Sequence, residues 1–306
     1  MEYELAIIGA GPAGYSAAIY AVRSGIKTVV FDKTGGGGLA NYSPNIENYP
    51  GFESITGVDL MDKMQKHAMK YADIHFTEEV KKIQKTKDIF TIETNQKTYN
   101  VKAIILSMGA EYRKLNVPGE KELQGKGVSY CATCDGFFFK GKKVAVVGGG
   151  NTAVIESIYL KQIGCEEVYL IHRRDQLRAE KAYEEEALKK QVQILYHTHV
   201  ENINGDKKVE YLEIHNVKTG EKSKLPVDGV FISIGEEPQN TLAKELNVKL
   251  DEKGYIIVDR AQRTNVKGVY AAGDITGGLR QVITACAEGA IAALSTTEVL
   301  GKTYPY

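Results

Sequence analysis

Short apolar runs that end in glycine alternate with helical patterns along this chain. Residues 4–8 form a mostly apolar run that breaks at once into glycines, and a helical pattern through Ala17 and Val22 follows. A second apolar segment covers residues 28–31. Because buried parallel strands form continuous apolar runs, this N-terminal segment predicts a complete strand–helix–strand unit.

The same pattern returns in the middle of the chain. Residues 143–147 are apolar, glycines follow, a helical stretch covers about 153–163, and residues 167–171 form a second strand. Gly148 lies 139 positions after Gly9, so the pattern is an internal repeat. Two copies of one nucleotide-binding unit predict two nucleotide sites, one in each of two domains.

Further elements are expected around two candidate hinges, which lie near residues 110–118 and 236–242. These elements are, in chain order, a helix over about 58–71, strands between 74 and 106, a buried strand over 230–235, a strand over 268–274 and an alanine-rich helix over 282–299. His197 and His199 alternate on an apparent strand. We interpret them as ordinary polar residues, because no third metal ligand accompanies them.

The first glycine loop, Gly9-Ala10-Gly11-Pro12-Ala13-Gly14, has G-x-G-x-x-G spacing after a strand and at the start of a helix. Its first glycine permits a tight turn, its second lets a pyrophosphate approach backbone N–H groups, and its third lets helix pack on strand. Asp32, 18 residues after Gly14, can accept hydrogen bonds from ribose hydroxyls. An adenine dinucleotide with a free 2′-hydroxyl is predicted, against the alternative of a plain glycine turn.

The second loop, Gly148-Gly149-Gly150-Asn151-Thr152-Ala153, is a G-x-G-x-x-A variant. At the corresponding strand end stand His172, Arg173 and Arg174, followed by Arg178. Guanidinium groups bind a 2′-phosphate with charge-assisted hydrogen bonds, whereas a carboxylate would repel it. The second nucleotide is therefore predicted to be NADP(H), against the alternative of a solvated basic turn.

Cys131 and Cys134 form a single Cys-x-x-Cys, and Asp135 follows directly. A structural zinc site is disfavoured, because Cys165 and Cys286 supply no second pair and receive no role here. Inert thiols are the second alternative. We favour a redox-active disulfide, for which Asp135 would donate or accept the proton of the thiolate leaving group.

Charge and cysteine content narrow the classes further. Lys plus Arg and Asp plus Glu each count 39, so no global field is available to hold nucleic acid or anionic lipid. No apolar run approaches the roughly 18 residues of a membrane span, and the N-terminus does not resemble a signal peptide. Four cysteines are too few for a secreted disulfide scaffold. A cytoplasmic protein with no metal, membrane or nucleic-acid partner is expected.

The two nucleotide sites and the cysteine pair together predict an electron path. Both NADPH and a dithiol–disulfide pair exchange two electrons, but direct hydride attack on sulfur is not the usual biological route. A flavin is the natural intermediary. We therefore expect FAD in the first site, with electrons passing from NADPH through FAD and the Cys131/Cys134 pair to an external disulfide.

The chain closely resembles the low-molecular-weight thioredoxin reductases over essentially its whole length. The motifs that carry the resemblance are Gly9–Gly14, Glu47-Asn48-Tyr49-Pro50-Gly51-Phe52, Cys131–Gly136, Gly148–Ala153, His172–Arg178, Gly273-Asp274 and Arg280-Gln281-Val282. It implies an α/β fold of two dinucleotide-binding, Rossmann-like three-layer domains, the second inserted into the first. The FAD domain would comprise residues 1–113 and 240–306, and the NADPH domain residues 114–239.

The resemblance also implies roles for individual residues. Cys134 would face the flavin, Cys131 would attack the substrate disulfide, and Asp135 would be the active-site acid. The FAD site would comprise Gly9, Gly11, Pro12, Ala13, Gly14, Asp32, Lys33, Gly38, Leu39, Asn48, Gly109, Gly273, Asp274, Arg280, Gln281 and Val282. The NADPH site would comprise Gly148, Gly150, Asn151, Thr152, Ala153, His172, Arg173, Arg174, Arg178, Ile234 and Gly235.

Three segments depart from the family pattern. Gly38 stands where Gln is usual, Met108 where Thr is usual and Glu236 where His is common, so a side-chain contact to the flavin is missing at Gly38. The expected activity is NADPH-dependent reduction of thioredoxin, or a thioredoxin-like protein, by a homodimer. The alternatives are a related flavin-dependent disulfide reductase or dithiol oxidase with another partner or donor, and a flavin redox sensor without turnover.

Overall fold

A computed structural model describes residues 2–43 and 45–303. The strands are β1 Leu5–Ile8, β2 Thr28–Phe31, β3 Asp73–His75, β4 Val80–Thr86, β5 Ile89–Thr94, β6 Thr98–Val101, β7 Ala103–Leu106, β8 Ala110–Tyr112, β9 Val128–Ser129, β10 Lys143–Gly148, β11 Glu167–Ile171, β12 Gln193–Leu195, β13 Thr198–Asn204, β14 Tyr211–Asn216, β15 Lys222–Pro226, β16 Gly229–Ser233, β17 Glu236–Pro238 and β18 Val269–Ala271. The α-helices are α1 Pro12–Arg23, α2 Gly57–Ala68, α3 Ala132–Asp135, α4 Asn151–Gln162, α5 Lys181–Lys189, α6 Thr241–Glu245 and α7 Val282–Leu300. Short 3₁₀ helices cover Gly38–Tyr42, Gly136–Phe139 and Asp274–Thr276.

Chain contacts divide the molecule into two units, which we call the first and second unit. The first unit comprises residues 1–41, 45–111 and 237–306, and the second comprises residues 42–44 and 112–236. The chain passes between them within β8 and β17, and these two strands pair with each other. Of the predicted first domain, residues 1, 44 and 304–306 lie outside the described residues.

The first unit contains a five-stranded parallel sheet in the order β3-β2-β1-β7-β18. Every residue of β1, β2 and β7 is buried, which is why these strands are continuous apolar runs in the sequence. A second sheet of β4, β5 and β6 is antiparallel. Exposed and buried residues alternate along β6, which is typical of an antiparallel sheet with one face towards solvent.

The second unit contains a parallel sheet in the matching order β12-β11-β10-β16-β9. An antiparallel sheet of β13, β14 and β15 accompanies it. The predicted α/β class with Rossmann-like parallel sheets is therefore confirmed.

Some predicted elements differ from the structure. The helix expected to reach residue 71 ends at Ala68, and a strand, β9, precedes the cysteine pair although none was predicted there. His197 lies in the turn between β12 and β13 rather than on a strand, with φ of 54°. With two residues, β9 is too short to show the alternation of apolar and polar residues that indicates a strand. The left-handed backbone of His197 interrupts the alternation between β12 and β13, and no sequence signal marks it.

Among the described residues, one helix, α7, is long and apolar enough to cross a membrane by length and composition alone. This differs from the expectation that no apolar segment of the chain approaches the length of a membrane span. Core helices of ordinary globular domains pass the same test. Here α7 packs against α1, and a Cβ on Gly289 would lie 2.1 Å from the backbone oxygen of Ala13. The small residues of α7 thus permit a close helix–helix contact inside the first unit.

Candidate active site

The first glycine loop joins β1 to α1, and its three glycines meet different surroundings. A Cβ on Gly9 would lie 2.3 Å from the oxygen of Ser107, and one on Gly14 would lie 1.9 Å from the oxygen of Gly9. The fold itself therefore requires these two glycines. A Cβ on Gly11 would meet nothing within 4 Å, and its φ of −88° suits any residue. The space in front of Gly11, at the N-terminus of α1, fits the phosphates of a dinucleotide.

Asp32 follows β2 and is tied to the loop. Its Oδ2 accepts a hydrogen bond from the backbone N–H of Ala10 at 2.8 Å, and its Oδ1 accepts two from Thr34. The carboxylate therefore stands beside the glycine loop, where a ribose would lie. Lys33, next in the chain, is exposed and forms an ion pair with Glu111 at 3.2 Å.

Gly38, one of the departures from the family pattern, and Ser107, which precedes Met108, lie beside this loop. Gly38 opens the 3₁₀ helix that also contains Leu39, has φ of 59°, and would place a Cβ only near the Cα of Gly11, at 3.9 Å. Ser107 is buried, and its hydroxyl donates to the oxygens of Ile8 and Gly9. Gly38 thus leaves the approach to Gly11 open, while Ser107 fixes the end of β1.

The strand at one edge of the first sheet, β18, leads into the turn that contains Gly273 and Asp274. Burial raises the pKa of the Asp274 carboxyl, while Arg280 opposes that shift. No residue in the described ranges donates a hydrogen bond to this carboxylate. A half-buried carboxylate without a hydrogen-bond donor fits a hydroxyl-bearing ligand in the first unit.

Neighbouring residues hold this turn in place. Glu288 of α7 accepts a hydrogen bond from the backbone N–H of Gly273 at 2.7 Å. Asn48 donates to the side-chain oxygen of Gln281 at 3.0 Å, and Arg280 donates to the hydroxyl of Tyr255 at 3.1 Å. Two further residues were predicted for this site: Gly109, between β7 and β8, has φ of 67° and an open Cβ direction, and Val282 begins α7.

The second glycine loop, between β10 and α4, repeats the geometry of the first. A Cβ on Gly148 would lie 2.4 Å from the oxygen of Ser233 and 2.5 Å from the Cβ of Ala153. A Cβ on Gly150 would meet nothing within 4 Å. Asn151 exchanges two hydrogen bonds of 2.9 Å with Glu180, and Thr152 is exposed in the first turn of α4. The open direction at Gly150 fits a second pyrophosphate.

The basic cluster after β11 separates into one buried residue and three exposed ones. His172 is buried, its Nδ1 lies 2.9 Å from the oxygen of Gly148, and its ring fills the space where a Gly149 side chain would stand. Burial lowers the pKa of His172, so it is a neutral support for the loop. Arg173, Arg174 and Arg178 are exposed, and no carboxylate in the described part of the chain pairs with them. Three uncompensated guanidinium groups beside the loop fit a 2′-phosphate.

The other predicted nucleotide residues, Ile234 and Gly235, directly follow β16. Ile234 is partly buried in the core of the second unit, and Gly235 has φ of 106°. The oxygen of Gly235 accepts a hydrogen bond from the backbone N–H of Arg113 at 3.0 Å. Gly235 therefore marks a sharp turn just before the chain leaves the unit.

Cys131 and Cys134 form a disulfide with a Cα–Cα distance of 5.3 Å. Cys131 precedes α3 as its N-cap, and both cysteines are half-buried. β9 is parallel to β16, so the disulfide follows the carboxyl end of a strand in the same sheet that carries the second glycine loop. Ligand sites of open parallel sheets lie at this edge.

Asp135 is tied to the disulfide segment through Ser129. The hydroxyl of Ser129 donates to Oδ2 of Asp135 at 2.6 Å and accepts from the N–H of Cys131 at 3.1 Å. Burial raises the pKa of Asp135, and the hydrogen bonds from Ser129 and Ser43 partly offset that shift. A raised pKa brings a carboxyl group closer to the range in which it can exchange a proton with a neighbouring thiol.

The segment before the disulfide is anchored by a buried carboxylate, Glu120. It accepts hydrogen bonds from the N–H groups of Leu115 and Asn116 at 3.0 and 2.7 Å and from the hydroxyl of Tyr130 at 2.7 Å. The ring of Tyr130 stacks on that of Tyr112 at 5.1 Å. Residues just inside the second unit are thereby joined to the residue that precedes Cys131.

Sequence reasoning missed Ser129, Glu120 and Glu288. Each acts through hydrogen bonds to a backbone N–H or to a side chain of its own neighbourhood in the chain, and these bonds follow no spacing that a sequence motif records. The remaining cysteines stay outside the site chemistry. Cys165 is buried, and Cys286 is half-buried with its sulfur 3.7 Å from the oxygen of Pro12; burial raises the pKa of each thiol to about 11.

Comparisons with known proteins place the chain among redox enzymes. Residues 3–289 match the family described as pyridine nucleotide-disulphide oxidoreductase. The chain is 43% identical over 293 residues to a thioredoxin reductase of Listeria innocua, which covers 95% of this chain and 91% of that protein. It is 41% identical over 303 residues to a 34.2 kDa protein in the rubredoxin operon of Clostridium pasteurianum, covering 98% of both. A solved thioredoxin reductase of Streptococcus pyogenes is similar with a TM-score of 0.93 and 40% identity over 98% of both chains.

Proposed function

Because the chain belongs to the pyridine nucleotide-disulphide oxidoreductase family, we propose that it is a thioredoxin reductase that uses NADPH and FAD. One observation carries this proposal. The Cys131–Cys134 disulfide and the second glycine loop, with its uncompensated arginines, share the carboxyl edge of one parallel sheet. The similar proteins named thioredoxin reductase agree with it over nearly the whole chain.

The first unit would hold FAD. Gly11 and the N-terminus of α1 would accept its pyrophosphate, Asp32 its adenosine ribose, and Asp274 a hydroxyl or phosphate-linked part of its chain. Two observations support this assignment: the open space at Gly11, and the Asp274 carboxylate, to which no described residue donates a hydrogen bond. When bound, the flavin supplies two-electron transfer between a nicotinamide and a disulfide.

The second unit would bind NADPH and carry the reducible disulfide. Gly150 would admit the pyrophosphate, and Arg173, Arg174 and Arg178 would bind the 2′-phosphate. Reduction breaks the Cys131–Cys134 bond with two electrons and two protons. Asp135 would give one proton to the Cys131 sulfur and take it back when Cys131 attacks the disulfide of thioredoxin as a thiolate. Cys134 would then attack the resulting mixed disulfide, which re-forms the Cys131–Cys134 bond and releases thioredoxin as a dithiol carrying the two electrons and two protons.

The proposal extends to assembly and location. We expect a homodimer that acts in the cytoplasm on thioredoxin or a thioredoxin-like protein, without a nucleic-acid or membrane partner. The zero net charge of the chain supports the absence of a nucleic-acid or membrane partner, and its low cysteine content supports the cytoplasmic location. The homodimer and the thioredoxin partner rest on the resemblance to thioredoxin reductases. The boundaries at residues 113 and 239, like the individual site assignments, stay predictions.

Steady-state oxidation of NADPH with a purified thioredoxin disulfide tests the proposal. We expect turnover in the unchanged protein and a loss of about a thousandfold or more in Cys134→Ser, because the two-electron exchange needs both sulfurs. Cys165→Ala is the matched control and should keep turnover, since its thiol lies in the core. Flavin reduction by NADPH without any disulfide turnover would favour a redox sensor. Efficient oxidation of dithiols would favour an oxidase.

A further inference from the structure

The side chain of Ser129 lies between the carboxyl group of Asp135 and the backbone of Cys131, two residues that the proposed reaction uses together. It is buried at the end of β9, where no motif marks it. Its oxygen accepts the N–H of Cys131 at 3.1 Å, and its single proton has two acceptors within reach. These are Oδ2 of Asp135 at 2.6 Å and the oxygen of Cys131 at 3.4 Å. The shorter distance and the charge of the carboxylate direct the proton to Asp135.

The oxygen of Cys131 has other donors of its own. The backbone N–H groups of Cys134 and Asp135 donate to it at 3.2 and 3.1 Å. Ser129 is therefore not needed to satisfy that carbonyl, whereas the N–H of Cys131 receives its hydrogen bond from Ser129. The hydroxyl connects the backbone of Cys131 to the carboxyl of Asp135.

We infer that Ser129 is a positioning residue that holds the Asp135 carboxyl at a fixed place beside Cys131 and favours its ionised form. This inference rests on the proposed function for its role in turnover, but not for its effect on Asp135. Hydroxyls supply the hydrogen bonds to this carboxyl, from Ser129 and Ser43, and no charged side chain contributes to its pKa shift. The titratable groups that lie beside it in the chain are the thiols of the reduced cysteines.

The expected direction follows from the hydrogen bond. A donor to the charged form lowers a carboxyl pKa, so its removal raises the pKa further. Hydrogen bonds to charged groups correspond to roughly one pH unit or more of shift. Ser129→Ala should therefore move the Asp135 midpoint upward by about one pH unit, and Ser129→Thr, which retains a hydroxyl, should return it towards the original value.

The test uses two readouts on the full-length protein. The first is the ¹³C titration of the Asp135 carboxyl in the oxidised protein, identified by the signal that Asp135→Asn removes. The second is the pH profile of thioredoxin-disulfide turnover, whose Asp135-dependent limb should move in the same direction. Thr198→Val is the matched control. It removes a buried hydroxyl in the same unit that donates only to the oxygen of Tyr196, at 2.7 Å.

The outcomes separate the inference from the proposed function. An upward shift in both readouts with Ser129→Ala, reversed by Ser129→Thr and absent in Thr198→Val, supports the inference. An unchanged Asp135 midpoint in Ser129→Ala overturns it, and so does a shifted midpoint with an unmoved pH profile. Absence of turnover in the unchanged protein would contradict the proposed function, and the carboxyl titration would still decide the effect of Ser129 on Asp135.

Discussion

The two units contain the same parallel sheet, but the residues at its carboxyl edge differ in charge. In the first unit, β2 is followed by Asp32, a carboxylate that accepts hydrogen bonds from Ala10 and Thr34. In the second, the equivalent strand β11 is followed by the buried, neutral His172 and by three exposed arginines. One backbone design thus presents an acceptor to one ligand and cations to the other, so local charge and not the fold would select the nucleotide.

A second difference concerns the outer strand of each sheet. In the first unit this strand is β18, which comes late in the chain and leads to Asp274. In the second it is β9, which comes before the glycine loop and leads to Cys131 and Asp135. Equivalent edges therefore carry a proposed cofactor carboxylate in one unit and the reducible disulfide in the other. The edge of the sheet determines where chemistry is placed, whatever the chain order.

Removing the three arginines of the second unit should have the largest effect, because it should abolish the difference in charge between the two nucleotide sites. In a variant with Arg173, Arg174 and Arg178 all changed to Ala, we expect the preference for NADPH over NADH to fall by about a thousandfold, because several charge-assisted hydrogen bonds are lost. The ratio of kcat/KM for the two nucleotides measures this. Arg23→Ala, an exposed arginine of the first unit, should leave the ratio unchanged. An unchanged ratio in the triple variant would mean that the cluster is only a solvated turn.

The glycines of the two loops give the next largest effect. Gly14→Ala and Gly148→Ala should each destabilise the protein by about 3 kcal/mol, because the new Cβ would overlap neighbouring atoms. Gly11→Ala and Gly150→Ala should change the free energy of unfolding of the ligand-free protein by less than about 1 kcal/mol, yet weaken flavin and NADPH binding about tenfold. Chemical denaturation and ligand titration test the two sets. If Gly11→Ala bound flavin as tightly as the unchanged protein, the assignment of the first loop as a pyrophosphate site would be wrong.

Glu120 lies in the second unit, and its removal should have an intermediate effect on stability. Glu120→Ala leaves the N–H groups of Leu115 and Asn116 and the hydroxyl of Tyr130 without their acceptor. The expected loss is about 2 kcal/mol of unfolding free energy, measured by urea denaturation. The exposed Glu122→Ala is the control and should lie within about 0.5 kcal/mol of the unchanged protein. A loss as small as that of the control would show that the network contributes little.

Asp274 should give the smallest effect, with a characteristic sign. Its carboxyl pKa is raised in the folded protein, so folding favours the protonated form and stability falls as pH rises from the unfolded pKa of 3.8 through the folded one. Above that window the ionised group costs free energy. Asp274→Asn should therefore stabilise the flavin-free protein at pH 8 by less than about 1 kcal/mol, and not at pH 3. Lower stability of Asp274→Asn at pH 8 in thermal unfolding would contradict this.

The sequence was informative where the fold needs a local pattern. Continuous apolar runs predicted β1, β7, β10 and β16, because strands of a parallel sheet are buried on both faces. The glycine spacings and the family resemblance were visible for the same reason, and the comparisons confirm the resemblance. The α/β class followed from those runs, since glycines and helices separate them.

Other features had no local signal. β9 has two residues, so neither its existence nor its place at the sheet edge could be inferred from periodicity. His172 was grouped with the arginines by position, yet its ring packs on Gly149 and supports the loop. Ser129 looks like any serine until the fold places its hydroxyl on Asp135. Such contacts depend on side-chain direction, which the order of residue types does not specify.

An anaerobic titration with NADPH tests the central claim most directly, namely that electrons pass from the nucleotide through a flavin to the Cys131–Cys134 disulfide. The account predicts that the flavin-loaded protein consumes two equivalents of NADPH per chain, one for the flavin and one for the disulfide. The Cys131→Ser/Cys134→Ser double variant should consume one. Equal consumption by the two proteins would show that the disulfide lies outside the electron path and would contradict the account.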